Sequence, residues 1–175
     1  EAGTAITTGD SNTLIGYLAG DAITTVNFIT AVGEKALSAN TSGQKNTALG
    51  RAALQSITSQ DNNTAVGYNS LSGGNNAGGN NTAIGSDTLS GNTTGDNNVA
   101  LGYNALAANT TASSNVAIGR GALDATTTGS SNTSVGDMSS SANTTGANNT
   151  AIGTLALTAN TTAAGNVAVG YAALT

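Results

Sequence analysis

The sequence predicts an all-β chain, a parallel β-solenoid of about ten 17-residue coils. Three observations carry this. A short motif, seen as Asn81-Thr82-Ala83-Ile84-Gly85 or Asn98-Val99-Ala100-Leu101-Gly102, recurs with closing glycines at Gly16, Gly33, Gly50, Gly67, Gly85, Gly102, Gly119, Gly136, Gly153 and Gly170. Successive glycines stand 17 residues apart, except for the 18 between Gly67 and Gly85. Apolar residues keep a fixed phase within that period and lack the three-to-four-residue spacing of a helical stripe. A constant period near 20 marks a solenoid, whose coils bury a core only by stacking on their neighbours.

The elements of one coil follow in order, counted from the motif glycine as position zero. Asn stands at −4 in nine of ten coils, Ile29 being the exception. It suits the turn that leads into a strand, and in a register stack its amides can form a hydrogen-bonded ladder. The strand comes next, with Ala at −2 in eight coils and an aliphatic residue at −1 in all ten. Adjacent strand residues point to opposite faces, so both faces are apolar. The expectation is that Ile at −1, with Thr82 or Val99 beside it, closes the core. The Ala-Gly face is then left to pack against other copies of the chain. After the glycine, Ala recurs at +3 in seven coils and Leu at +4 in eight. A Thr pair follows at +8 and +9, as in Thr93-Thr94 and Thr110-Thr111.

The pattern weakens in two places. Asp21 to Ile29 lacks the motif Asn and is more apolar, and Asp137-Met138-Ser139 interrupts its coil. The extra residue lies in Ser72-Gly73-Gly74-Asn75-Asn76-Ala77-Gly78-Gly79, which reads as an outer loop and as the candidate binding surface. Residues 1–175 form a single repeat domain. Thr7-Thr8 falls on the Thr phase before the first complete motif, so the expectation is a section of a longer fibre.

The chemistry is sparse. Charged residues make up 7% of the chain, the net charge is −5, and Pro, Cys, His and Trp are absent. Without His or Cys, the common catalytic triads and zinc sites have no ligands. The carboxylates are scattered over the coil; Asp61 and Asp96 share a phase two coils apart, roughly 10 Å at strand spacing. No catalytic residue, cofactor or metal is expected. Lys35, Lys45, Arg51 and Arg120 are too few for a phosphate backbone, so nucleic acid is not an expected partner. No apolar run approaches the ~20 residues of a membrane helix, so no insertion is expected. Asn92-Thr93-Thr94 and Asn109-Thr110-Thr111 match a glycosylation triplet that an Asn- and Thr-rich repeat yields by chance. Tyr17, Tyr68, Tyr103 and Tyr171 each follow a motif glycine, as recognition residues or as rings covering the end of the core.

The run Asn98 to Leu106, Asn-Val-Ala-Leu-Gly-Tyr-Asn-Ala-Leu, resembles the head repeats of trimeric autotransporter adhesins and the related repeats of bacteriophage tail fibres. The resemblance extends from about Asn12 onward, although a 17-residue period is longer than the usual adhesin-head coil. It implies a left-handed β-roll assembled as a homotrimer, on a virion tail fibre or at a cell surface. The function expected is a non-enzymatic structural or adhesive fibre segment. Its partner would be itself, with end-to-end assembly or a host-surface glycan or protein as further partners. The alternatives are a self-assembling extracellular filament and an ice-binding solenoid, the latter suggested by the Thr pairs.

Overall fold

Each motif becomes one three-residue strand. The computed structural model describes residues 1–74 and 78–175. The strands are β1 (Thr13–Ile15), β2 (Thr30–Val32), β3 (Thr47–Leu49), β4 (Thr64–Val66), β5 (Thr82–Ile84), β6 (Val99–Leu101), β7 (Val116–Ile118), β8 (Thr133–Val135), β9 (Thr150–Ile152) and β10 (Val167–Val169). They form one ten-stranded parallel sheet in sequence order, with motif paired to motif, as in Thr82↔Val99, Ala83↔Ala100 and Ile84↔Leu101. Among the described residues there is no helix. Nine strand steps at ~4.8 Å give a sheet about 43 Å tall.

The two faces of the sheet are the reverse of the expectation. Ala at −2 points into the coil: Ala31, Ala48, Ala65, Ala83, Ala100 and Ala117 are each 0% exposed. They meet the +4 leucines, among them Leu37, Leu54, Leu89, Leu106 and Leu123, in one continuous core. The aliphatic residue at −1 points outward, with Leu49, Ile84, Leu101 and Ile152 all partly exposed. The reason is width. A Leu from the opposite wall fills the narrow coil, and close packing leaves room for only a methyl group on the strand side. Ala117 therefore lies inside its own coil and does not face a partner.

The turns depend on residues in the left-handed region. Beyond the glycines, positive φ recurs at −5, +2 and +4, for example Asn97 (58°), Asn104 (57°) and Leu106 (53°). None of the residues in these three columns is Val, Ile or Thr, although the chain is rich in all three. A branched Cβ is what that region tolerates least. The strain at Leu106 is offset by burial and by its N–H, which donates to Ala122 O of the next coil at 3.0 Å. The motif glycine is constrained twice. Gly102 has φ of 127°, and a Cβ there would lie 2.6 Å from the carbonyl oxygen of Gly119.

Buried asparagine joins the coils. The Oδ1 of each −4 Asn accepts the backbone N–H of its counterpart one coil on: Asn81 from Asn98 at 2.9 Å, Asn98 from Asn115 at 3.0 Å, Asn115 from Asn132 at 2.9 Å. The ladder runs unbroken from Asn46 to Asn166 and crosses the 18-residue coil, where Asn63 accepts from Asn81 at 3.0 Å. The Nδ2 of Asn98 also donates to Ala112 O at 3.0 Å. For Asn63 the equivalent carbonyl is that of Gly78, which accepts from Asn81 Nδ2 at 2.9 Å, and the buried Asn63 Nδ2 has no hydrogen-bond partner among the described residues. A second column, at +7, was not foreseen. Asn40, Asn92 and Asn109 each accept from and donate to the backbone three residues on. The Thr pairs bind coil to coil too, as Thr93 Oγ1 donates to Thr110 O at 2.7 Å.

Two substitutions test these restraints by urea denaturation. Leu106→Ile keeps volume but puts a β-branched residue at positive φ; it is expected to cost about 1–3 kcal/mol, against less for Leu106→Met. Asn98→Ala strands the backbone N–H and the Nδ2 of buried Asn115, both of which donate to Asn98 Oδ1, and should cost about 2–4 kcal/mol. Equal effects of Ile and Met at 106, or a neutral Asn98→Ala, would contradict the assignment.

Candidate interaction surface

The outer face of the sheet is built from columns −3 and −1. Its twenty residues are Thr or Val at −3 and Ile, Val or Leu at −1, without a single charge. Alternation along each strand turns both columns outward once Ala at −2 is inside. Parallel register then stacks like on like for ten levels, giving two unbroken ladders. Monomers rarely expose contiguous apolar patches beyond a few hundred Å².

Beside the stripe runs column +1. Tyr17, Tyr68, Tyr103 and Tyr171 stand there at 62%, 51%, 54% and 77% exposure, so the rings do not cover the end of the core. Both arginines share the column. Arg51 reaches Glu34 one coil before it at 3.3 Å and the hydroxyl of Tyr68 one coil after it at 3.4 Å. Its guanidinium lies 5.5 Å from the centre of the Tyr68 ring. Arg120 pairs with Asp137 at 2.9 Å. Both ion pairs are exposed and add little stability.

The other candidates are placed as follows. Of the loop Ser72 to Gly79, residues 75–77 lie outside the described residues. Gly79 N–H donates to Asp96 Oδ1 at 2.7 Å, so the loop's end is tied to the next coil. The carboxylates of Asp61 and Asp96 each accept a backbone N–H of the preceding coil, Asp61 from Gln44 at 2.7 Å. Among the described residues no three ligating side chains gather for a metal, and no cavity opens. Asn92 and Asn109 are 0% exposed, with their amides bonded to the backbone three residues on, which leaves neither open to glycosylation. No helix among the described residues is long and apolar enough to cross a membrane. Comparison with protein-family models, with curated proteins and with solved structures finds no match.

Sequence reading missed the outward turn of column −1 and the gathering of arginine with tyrosine at +1. The second was visible: four Tyr and both Arg occupy one phase of seventeen.

One carboxyl departs from its ordinary behaviour. Burial raises the pKa of Asp124 above 3.8, against backbone hydrogen bonds from Ala125 and Asp124 that lower it. The folded chain then binds this proton more readily than the unfolded chain. Asp124 therefore contributes a fall in stability as pH rises from about 3.8 through the raised value. Asp124→Asn should remove that fall. Parallel stability profiles for both chains between pH 3 and 7 would show the assignment wrong.

Proposed function

We propose that the chain is a non-enzymatic structural segment of a fibre, assembled from parallel copies in register. The observation that carries the reading is the uncharged outward face, ten levels tall. A partner covering every level needs the same rise per coil and an uncharged face of its own, and a second copy has both. Rotational symmetry brings each side chain near its own copies at its own height, where a charge would meet the same charge. Columns −3 and −1 carry none, and the charges of column +1 occur as the neutral pairs Glu34–Arg51 and Arg120–Asp137.

The resemblance to adhesin heads and tail fibres supports a homotrimer and a place on a virion or cell surface. The strand face turned toward the partner is then the one bearing Ile, Val and Leu. Ultracentrifugation tests this. A trimer has a mass of about 50 kDa, three times 16.7 kDa. Leu101→Lys with Ile118→Lys should yield a monomer with unchanged circular dichroism, through burial of unpaired charge in the interface. Ala117→Arg should unfold the chain instead. A monomeric wild type, or a double variant that still assembles, would sink the reading.

A second reading gains one observation. The Thr array of an ice-binding solenoid would lie on the outward face, with Thr13, Thr30, Thr47, Thr64 and Thr82 in consecutive strands, and not in the +8/+9 pairs. Val99, Val116 and Val167 interrupt it. Thermal hysteresis from a monomeric chain would favour that reading.

A further inference from the structure

We propose that column +1 is a binding rail for a linear, uncharged polysaccharide, centred on Tyr68 and Tyr103. From Glu34 to Asp137 the column reads acid, Arg51, Tyr68, Ser86, Tyr103, Arg120, acid over seven successive coils, the same in both directions. The coil itself does not ask for these residues. Position +1 is outside the core and outside the left-handed columns, and half-exposed rings bury little apolar area. Ser86 and Thr154 occupy the same phase in other coils without disturbing the strand pairing.

The geometry selects the ligand class. No cavity opens among the described residues, so a ligand lies along the surface. Tyr68 and Tyr103 are two coils apart, about 10 Å, with small Ser86 between them. That spacing, on the scale of a disaccharide, lets one extended chain meet both rings. The apolar C–H face of a pyranose stacks on an exposed ring. Arg51, held by Glu34 and over Tyr68, presents its remaining N–H donors to hydroxyls beside that ring, while the carboxylates accept from hydroxyls. Paired Arg and acid leave the rail without net charge, and the chain as a whole carries −5, so an uncharged glycan is favoured over an acidic one.

This deepens the adhesive side of the fibre reading and rests on it only for display of the rail. The chain has no Trp and four Tyr, all on this column, so its intrinsic fluorescence reports the rail directly. The probes are linear oligosaccharides of two to six sugars from β-1,4-glucan, β-1,3-glucan, α-1,4-glucan and β-1,4-mannan, titrated into the full chain. At least one series should change tyrosine emission saturably. Affinity, read by titration calorimetry so that loss of the reporting rings does not matter, should rise roughly tenfold once the oligosaccharide spans both rings, and fall as much in Tyr68→Ser with Tyr103→Ser. Tyr17→Ser with Tyr171→Ser should leave it unchanged. The inference is overturned by no saturable response in any series at millimolar sugar. Binding retained without Tyr68 and Tyr103, or binding lost only because that variant changes its mass in ultracentrifugation, also overturns it. A monomeric wild type that still binds would remove the fibre reading and leave the rail standing.

Discussion

Each coil must find hydrogen-bond partners for its backbone in the coil beside it, and the buried −4 asparagine makes that demand strict. Its Oδ1 accepts one particular N–H, that of the next −4 residue, in the interior of the coil. A slip by one residue would strand a buried donor and a buried acceptor at every level, costing about 1–3 kcal/mol apiece. The motif glycines add a steric version of the same demand, since their backbones touch where a Cβ would not fit. The 18-residue step shows how firm the register is. Asn63 and Asn81 remain bonded at 3.0 Å, and Thr64 still pairs with Thr82, so the additional residue stays outside the ladder and the sheet.

The same narrowness that lets the asparagines meet their partners decides what the surface looks like. A coil thin enough for Leu123 to lie in one core with Ala117 has no room for Ile on that side of the strand. The aliphatic −1 residues and the Thr or Val at −3 are turned outward, and register stacks them into a long uncharged face. The assembly proposed for the chain thus follows from the core. Glycine closes the strand at a φ only it adopts easily, and the next residue emerges at the border of that face. There the chain places its tyrosines and arginines.

Most of the architecture was legible in the sequence because it rests on period. The glycine spacing, the −4 asparagines and the strand positions read directly into ten parallel strands with the expected pairing. What was not legible rests on backbone conformation. Ala105 and Leu106 are neighbours, yet both are buried, because Leu106 adopts positive φ. A simple alternation rule cannot see that, and it misjudges which strand face the leucines cover. The missing Val, Ile and Thr at −5, +2 and +4 were the available signal for those turns. The +7 asparagines were hidden by mixture, since Ile23, Ile57 and Thr126 fill the same buried position. Column +1 could be read as a coincidence of tyrosine and arginine, but its exposure, and the stacking of Arg51 on Tyr68, needed the fold.

The most direct measurement of the asparagine register is scalar coupling across the hydrogen bond by nuclear magnetic resonance. In the uniformly labelled chain, the backbone nitrogen of Asn115 should correlate with the side-chain carbonyl carbon of Asn98, and that of Asn98 with Asn81. Asn81 should couple likewise to Asn63 across the longer coil. Cross-peaks at each of these steps are the predicted result. Their absence, or coupling of these amides to other carbonyls instead, would contradict a register set by buried asparagine.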